Sequence, residues 1–190
     1  MVSSEHIETL KEIVGRDNIR QDPETSQIYG ADALKLDCAA DVVVFPASST
    51  EVSSVASFCS AQQIPITPRG AGTGYTGGAV PSGGGVVLTL ERMNRILEVD
   101  EQNLVAGEPN VVTGHLQEMV ERVGLFYPPD PASLNKSVIG GNVAECAGGP
   151  RAFKYGTTKR YVLGLQAVLP LSLIHISEPT SRYAISYAVF

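Results

Sequence analysis

The sequence predicts a domain in which α-helices pack on a partly parallel β-sheet, and three observations lead to this fold class. A strand, a helix and a second strand follow each other within residues 41–66, which is the order and length of one right-handed βαβ unit. A glycine-rich segment then leaves the second strand at its carboxyl end, where such sheets bind ligands. Further short strands and an amphipathic helix follow, so the chain contains both kinds of element along its length.

The chain begins with an amphipathic helix over residues 5–14, for which Ser4 is the expected capping residue and Gly15 the expected end. Residues 16–40 are polar and rich in turn-forming residues, and they predict an irregular leading segment. The short apolar run at residues 41–45 is typical of a strand buried on both faces.

The next helix is predicted to begin at a cap formed by Ser49 or Thr50. Its apolar stripe contains four residues: Val52, Val55, Ala56 and Cys59. Cys59 is interpreted as a small core residue. The second strand of the βαβ unit begins at Ile64 and Ile66.

Residues 69–78, here named the glycine loop, contain five glycines within nine positions: Gly70, Gly72, Gly74, Gly77 and Gly78. Glycine permits positive φ and a close approach of backbone to a ligand. Consecutive N–H groups in such turns form a concavity that suits phosphate or pyrophosphate. Thr73 and Thr76 add hydroxyl donors, and Arg69 adds a positive charge. The alternative is a loose surface loop without a ligand.

Two common phosphate-binding motifs do not fit this loop. A dinucleotide-binding Rossmann motif requires glycines that open a helix, whereas these glycines lead into the strand at residues 86–90. A Walker A motif requires a Gly-Lys-Ser/Thr sequence, which does not follow here. We therefore expect an irregular phosphate-binding loop between strands.

Downstream, residues 96–99 and 104–106 predict two short strands joined by a hairpin turn. A helix capped by Thr113 and ended by Gly124 follows, and its His115 is expected to face solvent. Residues 162–169 predict a last strand.

A second glycine-rich cluster lies between that helix and the last strand. Three prolines stiffen residues 127–131, and Gly140-Gly141 and Gly148-Gly149 flank an apolar turn at residues 142–147. Ser133 and Asn142 are candidate donors to a flat ligand. A tight corner without a ligand is the alternative, but two glycine-rich segments together favour a large, extended cofactor.

The composition narrows the functional classes further. At 190 residues the chain is one moderate domain or part of a larger protein, with a net charge of −6 and no basic patch to favour nucleic acid. Its three cysteines are widely spaced, which argues against a disulfide framework and a zinc site and fits a reducing, cytoplasmic setting. We find no apolar run long enough for a transmembrane span and no signal sequence.

These motifs in combination resemble the FAD-binding domain of the FAD-linked oxidases, of the vanillyl-alcohol oxidase and p-cresol methylhydroxylase type. Four segments carry the resemblance, namely residues 68–78, 130–133, 139–142 and 148–156. The glycolate oxidase FAD subunit and the D-lactate dehydrogenases are the most similar branch. The resemblance covers about residues 20–170 and implies an α+β domain of two small sheets with FAD between them.

The resemblance also implies the cofactor-binding residues. Those expected around the FAD pyrophosphate are Arg69, Gly70, Ala71, Gly72, Thr73, Gly74, Thr76, Gly77 and Gly78. Those expected along the flavin and ribityl chain are Pro131, Ser133, Ile139, Gly140, Gly141 and Asn142, with Gly148 as a further cofactor-binding residue.

Three positions depart from the family pattern. Some relatives attach FAD covalently through a histidine at the position of Thr73, so we expect non-covalent FAD here. Asn110 stands where glycine is usual, which implies an altered turn or an asparagine in the left-handed region. Cys146 stands where many relatives have asparagine, so a side-chain hydrogen bond is expected to be lost.

By this resemblance the parent protein is a flavin-dependent 2-hydroxy-acid dehydrogenase or oxidase, which transfers a hydride from the substrate α-carbon to FAD. Glycolate and D-lactate are the favoured substrates, and the electron acceptor is not indicated. The alternatives are the FAD-binding domain of a sugar-lactone, ether-lipid or cell-wall enzyme, or a non-catalytic FAD-binding module. No catalytic residue is assigned, because the family places those groups mostly downstream of residue 170.

Residues 171–190 match the translation of a common sequencing adapter in one reading frame, and we exclude them from the fold prediction. The alternative is a genuine short strand and tail. The expected division is a leading helix and segment at residues 1–35, an FAD-binding domain at 36–170 that is incomplete at its C-terminus, and a non-native tail at 171–190.

Overall fold

The structure is a computed structural model that describes residues 2–36, 38–100, 104–169 and 174–177. The chain divides into two compact units. The first unit contains the described residues up to Arg92 and those within 168–174, and the second contains those from Met93 to Ala167 and residues 175–177. No helix within the described residues has the length and apolar character needed to cross a bilayer.

Within its described residues, the first unit is a four-stranded sheet with three α-helices. The helices are α1 (Ser4–Val14), α2 (Pro23–Gly30) and α3 (Ser49–Ala61). The strands are β1 (Ile19–Arg20), β2 (Val42–Val44), β3 (Ile66–Arg69) and β4 (Val86–Thr89). The strand order is β1-β2-β4-β3, with β1 antiparallel to β2 and with β2 and β3 both parallel to β4. The predicted strand–helix–strand succession is therefore confirmed, with β4 inserted between its two strands.

Burial explains why these segments form the sheet. All three residues of β2 and all four of β4 are buried, as expected for central parallel strands that are covered on both faces. Val52, Val55 and Cys59 of α3 are buried, and Leu10 of α1 is fully buried. Burial raises the pKa of the Cys59 thiol to about 11, which confirms Cys59 as an uncharged core residue.

Helix starts differ from the prediction. Ser3 rather than Ser4 caps α1, and Ser48 rather than Ser49 or Thr50 caps α3. In both cases the capping serine is the extended residue just before the first helical turn, and its hydroxyl accepts from the backbone three positions on. The predicted end of α1 at Gly15 is confirmed, with φ of 88°.

The leading segment, predicted to be irregular, contains three short elements. Residues 16–18 form a 3₁₀ turn, followed by β1 and then by α2. Asp22 caps α2 and Pro23 occupies its first turn, which is a local helix-start signal. The prediction missed α2 because only Gly30 is buried in it, so no apolar stripe marks the helix.

Within its described residues, the second unit contains a β-hairpin, three α-helices and all but the last residue of a further strand. The strands are β5 (Ile96–Asp100), β6 (Leu104–Gly107) and β7 (Leu165–Val168), and the helices are α4 (Thr113–Arg122), α5 (Ile139–Ala144) and α6 (Ala152–Tyr155). The antiparallel β5–β6 hairpin is confirmed, although residues 101–103 of its predicted turn lie outside the described residues. Val111, Leu116 and Val120 form the core beside it.

Three predictions for this unit need correction. The predicted turn at residues 142–147 is in part helix α5, which begins at Ile139. Thr113 is the first residue of α4 rather than its cap. The last strand begins at Leu165 instead of residue 162, because residues 158–161 form a 3₁₀ turn. His115 is exposed, as predicted.

The strand β7 pairs with an eighth strand, β8 (Ile174–Ser177). β8 falls within the stretch that we predicted to be adapter-derived. The other residues of that stretch, 171–173 and 178–190, lie outside the described residues.

Candidate functional site

The glycine loop leaves the carboxyl end of β3, as predicted. Residues 70–85, all within the described part of the chain, form no helix or strand. Gly72 and Gly77 have φ of 65° and 78°, in the region where a side chain is strained. The backbone turns at these two glycines therefore require the residue type that the sequence provides.

The outer part of the loop presents open backbone. No described atom lies within 4 Å of the point where a Cβ at Gly74 or Gly77 would stand. Gly74 has no positive φ, so neither its conformation nor its packing explains a glycine there. The residues of the loop that are solvent-exposed are Ala71, Gly74, Tyr75, Thr76 and Gly78. This free space is what a ligand that contacts backbone N–H groups needs.

The side chain of Arg69 is directed into the first unit. Its Nη1 donates to the Ala31 carbonyl at 2.7 Å, and its Nη2 donates to the Ile28 carbonyl at 3.4 Å. Burial lowers the pKa of Arg69, whereas the nearby charge of Glu91 acts in the opposite direction. The predicted role of Arg69 at a pyrophosphate stays a prediction.

In the second unit, the proline-rich segment is tied to the second glycine pair. The Asp130 N–H donates to the Gly148 carbonyl at 3.2 Å, and the Arg151 guanidinium lies 3.2 Å from the Asp130 carboxylate. Gly149 has φ of 120°, and a Cβ there would overlap the Asp130 carbonyl. The structure therefore brings Gly148 next to the segment that carries Pro131 and Ser133.

The two glycines at the start of α5 have different surroundings. The Gly140 N–H donates to the Pro109 carbonyl at 2.7 Å, and a Cβ at Gly140 would lie 2.7 Å from the Pro109 Cβ. A Cβ at Gly141 would meet only Val138, at an ordinary 3.8 Å, and Gly141 is exposed. Gly140 thus serves packing, whereas Gly141 presents open backbone as Gly74 does.

Asn142 is directed inward. It is 3% exposed, and its Nδ2 donates to the Thr113 hydroxyl, which donates in turn to the Ser137 carbonyl at 3.0 Å. The side chain therefore joins α5 to the start of α4. Asn142 was predicted as a donor to a ligand, and that role stays a prediction.

Two supporting residues were not identified from the sequence. The Gln117 side chain donates to the carbonyls of Tyr127 and Pro129 at 3.0 and 2.7 Å and fixes the proline-rich segment. Glu108 is 5% exposed and accepts from the Arg95 backbone N–H at 2.8 Å and from its guanidinium at 2.6 Å. Gln117 could have been identified as a polar residue on an otherwise apolar helix face. That signal does not identify Glu108.

Glu108 remains charged despite its burial. Burial favours the neutral carboxyl, but the hydrogen bonds and charge of Arg95 outweigh it and lower the pKa of Glu108. The pair fixes the turn that carries Pro109, against which Gly140 packs. Glu108 therefore stabilises the turn against which the start of α5 packs.

The structure describes all three residues that depart from the family pattern. Cys146 adopts φ of 51°, in the left-handed region, and its Sγ lies 3.1 Å from the Thr157 hydroxyl. Asn110 has no positive φ, so it is not an asparagine in the left-handed region. The Asn110 Oδ1 is buried without a hydrogen-bond partner among the described residues. Thr73 is half-buried within the loop.

The second unit also contains an apolar cavity of about 340 Å³. Leu116, Val120 and Ile139 line it, together with Tyr127 and Tyr161. Burial raises the pKa of the Tyr127 phenol to about 12, so this hydroxyl stays protonated at neutral pH. Ile139 is the one predicted cofactor-binding residue among those that line the cavity.

Comparison with known proteins identifies the family. The model of the FAD binding domain matches residues 40–176, which is well over half of the chain. Glycolate oxidase subunit GlcD of Bacillus subtilis is 42% identical over 89% of this chain and 36% of its own length. A D-lactate dehydrogenase of Anaerostipes hadrus is 38% identical over 99% of this chain and 40% of its own. A D-2-hydroxyglutarate dehydrogenase of Stutzerimonas stutzeri is 37% identical over 85% of this chain and 35% of its own length.

Solved structures support the same fold. p-Cresol methylhydroxylase matches with a TM-score of 0.75 at 22% identity, over 92% of this chain and 36% of its own. An alkyldihydroxyacetonephosphate synthase matches with a TM-score of 0.78 at 24% identity, over 88% of this chain and 33% of its own. At these identities the likeness concerns the fold alone, and it confirms the p-cresol methylhydroxylase type. The chain spans less than half the length of the curated relatives named above.

Proposed function

The chain belongs to the FAD-binding domain family with FAD as its cofactor, and we propose that it is the cofactor-binding part of a flavin-dependent 2-hydroxy-acid dehydrogenase or oxidase. The observation that carries the proposal is the 42% identity to a glycolate oxidase subunit. The relatives named for D-lactate and D-2-hydroxyglutarate point to the same chemical class, a carboxylate with a hydroxyl on the adjacent carbon. We favour glycolate or D-lactate as the substrate.

The open glycines indicate how this chain would hold FAD. Gly74, Gly77 and Gly141 leave space next to backbone N–H groups, which fits a large anionic ligand that approaches the main chain. We assign the pyrophosphate to the backbone of residues 70–78 in the glycine loop, and the flavin and ribityl chain to residues 131–133, 139–142 and 148. Because Thr73 offers a hydroxyl in place of a ring nitrogen, we propose that FAD is held without a covalent bond.

When bound, FAD would supply the redox chemistry of this class, in which a hydride leaves the α-carbon for the flavin and a base takes the hydroxyl proton, giving a 2-oxo acid. The described residues bind and orient that cofactor. Gln117 and Glu108 keep the proline-rich segment and the start of α5 in place, so the backbone facing the cofactor is preorganised. We assign no proton-abstracting residue within the described part of the chain.

We further propose a cytoplasmic location and the division at residues 35 and 170. Cys38, Cys59 and Cys146 are free thiols, which supports a reducing compartment. The non-native origin of residues 171–190 is tested by sequencing the source gene across codon 170. An uninterrupted match of that gene to residues 171–190 would refute it.

FAD binding is tested by titrating the purified chain with FAD and following flavin fluorescence. We expect Gly74→Val to weaken binding by about tenfold or more, because the branched side chain would fill the space beside the backbone N–H groups. Gly83→Ala is the matched control, because its Cβ would meet only Pro65 at an ordinary 3.8 Å. Equal FAD affinity of Gly74→Val and the control would contradict the assigned loop.

The hydroxy-acid class is tested in a chimera in which residues 40–169 replace the matching segment of Bacillus subtilis GlcD. We expect the chimera to bind FAD and its flavin absorbance to bleach when glycolate is added without oxygen. The unmodified GlcD is the positive control. A chimera that binds FAD but is bleached by neither glycolate nor D-lactate would contradict the proposed activity while leaving FAD binding intact.

A further inference from the structure

The environment of Arg69 points to a role different from direct phosphate binding. Arg69 is the last residue of β3, and it is 9% exposed. Both terminal nitrogens of its guanidinium donate to carbonyls at the end of α2, those of Ile28 and Ala31. The last carbonyls of a helix have no partner within the helix, and a cation interacts favourably with them. Arg69 therefore acts as a cap for α2 from a distant part of the chain.

The same guanidinium supports the glycine loop. A Cβ on Gly72 would overlap the guanidinium of Arg69, so the loop backbone lies directly against it. Gly72 also has φ of 65°. Glycine is thus required at this position by two independent conditions, the conformation of the turn and the contact with the Arg69 side chain.

Neighbouring groups hold the guanidinium in this position. The ring of Tyr29 lies 5.6 Å from it, and the Tyr29 hydroxyl donates to the Glu91 carboxylate at 2.9 Å. Asp32 is 8% exposed and interacts electrostatically with Arg69. Two carboxylates and an aromatic face therefore offset part of the cost of burying this charge.

We propose that Arg69 is a positioning residue, which clamps the glycine loop to the end of α2 through Gly72 and does not itself contact the FAD pyrophosphate. This inference rests on the proposed FAD-binding function for its effect on affinity, whereas the clamp itself exists without FAD. The loop N–H groups then bind the pyrophosphate. A loop held in place before binding loses less conformational entropy when the ligand arrives, which strengthens binding.

The clamp is tested without cofactor by hydrogen exchange of the backbone in Arg69→Gln. We expect faster exchange both in residues 28–34 and in the glycine loop, with α3 unchanged as the internal reference. Arg92→Gln is the matched control, because Arg92 donates instead to the Phe45 carbonyl at 2.9 Å. Unchanged exchange of the glycine loop in Arg69→Gln would overturn the proposal, whether or not the chain binds FAD.

The effect on affinity separates positioning from contact. We expect Arg69→Gln to weaken FAD binding on the order of tenfold while leaving the salt dependence of the Kd unchanged, because a direct ion contact would add to that dependence. We expect Arg69→Lys to restore affinity only in part, since an ammonium lacks the planar fork that reaches two carbonyls. If the salt dependence of the Kd is weaker in Arg69→Gln than in the wild type, Arg69 contacts the cofactor directly. That result would overturn the proposal.

Gly72→Ala provides a second variant should Arg69→Gln fail to fold. The added methyl group displaces the guanidinium while the positive charge stays in the chain. We expect the loss of affinity in the double variant to be smaller than the sum of the two single losses, because the part of the Gly72→Ala loss that comes from displacing the guanidinium is already present in Arg69→Gln, whereas the part that comes from strain in the turn is not. Additive losses would overturn the clamp. If neither the wild-type chain nor any variant binds FAD, the proposed function fails and the exchange measurement still decides the clamp.

Discussion

At the scale of single residues, the adjacent glycines Gly140 and Gly141 separate a packing role from a ligand role. We expect Gly140→Ala to lower the free energy of unfolding by about 1–3 kcal/mol, because the added methyl group would lie 2.7 Å from the Pro109 Cβ in a packed contact. Urea unfolding of the variant without FAD measures this loss. A Gly140→Ala variant as stable as the wild type would contradict the packing that we describe.

Gly141→Ala is the matched variant. Its methyl group meets only Val138 at 3.8 Å and extends toward solvent, so we expect unchanged unfolding without FAD. FAD affinity should fall on the order of tenfold, because backbone next to the cofactor would be covered. The same urea series and an FAD titration measure both quantities. A loss of stability with unchanged affinity would show that Gly141, like Gly140, serves packing.

Cys146 offers a prediction from backbone strain. A residue other than glycine in the left-handed region costs on the order of 1 kcal/mol, and asparagine tolerates that region better than most residues. We expect Cys146→Asn to unfold at a slightly higher temperature than the wild type and Cys146→Ala to unfold at the same or a lower temperature. Thermal unfolding followed by circular dichroism makes the comparison. A less stable Cys146→Asn would show that the contact of the thiol with Thr157 outweighs the strain.

Side-chain direction at this scale could not be predicted from the sequence. The glycine loop and the Gly140-Gly141 pair were identified because glycine carries local conformational information. The side chains of Arg69 and Asn142 turn inward to donate to Ala31 and Thr113. Both partners are distant from them in the chain. A local pattern contains no record of such partners, so the sequence indicates which residues are donors but not the direction in which their side chains point.

At the scale of elements, the ion pair between the buried Glu108 carboxylate and the exposed Arg95 guanidinium links the start of β5 to the turn before α4. Arg95 lowers the pKa of Glu108, so the folded carboxyl stays ionised at a pH where the unfolded one is protonated. The pair therefore stabilises the fold fully above the unfolded pKa of about 4.3, and this contribution is lost as the pH falls through the folded pKa.

We expect the difference in unfolding free energy between the wild type and Glu108→Gln to be largest at neutral pH and to shrink as the pH falls below about 4. Urea unfolding at several pH values measures the difference. Glu118→Gln is the control, since Glu118 is exposed on α4. A difference that stays constant with pH would show that the charge of Glu108 does not contribute.

Elements with a strong apolar pattern were the ones that the sequence predicted well. β2, α3 and β4 all bury apolar residues, so their hydrophobic pattern marks them. α2 and α5 lack such a pattern. α5 contains two glycines and forms because Gly140 can approach Pro109 closely, which is a tertiary cause without a local signal.

At the scale of the whole molecule, the arrangement into two units followed from the resemblance to a family and not from periodicity. The βαβ unit of β2, α3 and β3 predicts a parallel sheet, but nothing in the local pattern separates residues up to Arg92 from those that follow. Four motifs in a fixed order carried that information. Their agreement with the matched residues 40–176 explains why fold and cofactor were predicted better than individual side-chain roles.

The way FAD is held affects the stability of the whole chain. A ligand held without a covalent bond that binds only the folded state raises the unfolding free energy by about 1.4 kcal/mol for each tenfold increase in free FAD above the Kd. Thr73 stands where some relatives have the histidine that attaches FAD covalently, so we expect non-covalent binding. The unfolding temperature should then rise continuously with FAD concentration. Calorimetric scans over a hundredfold range of FAD measure this, and Gly74→Val should show a much smaller rise. Acid precipitation should leave all flavin in the supernatant, and flavin that stays with the denatured chain would contradict non-covalent binding.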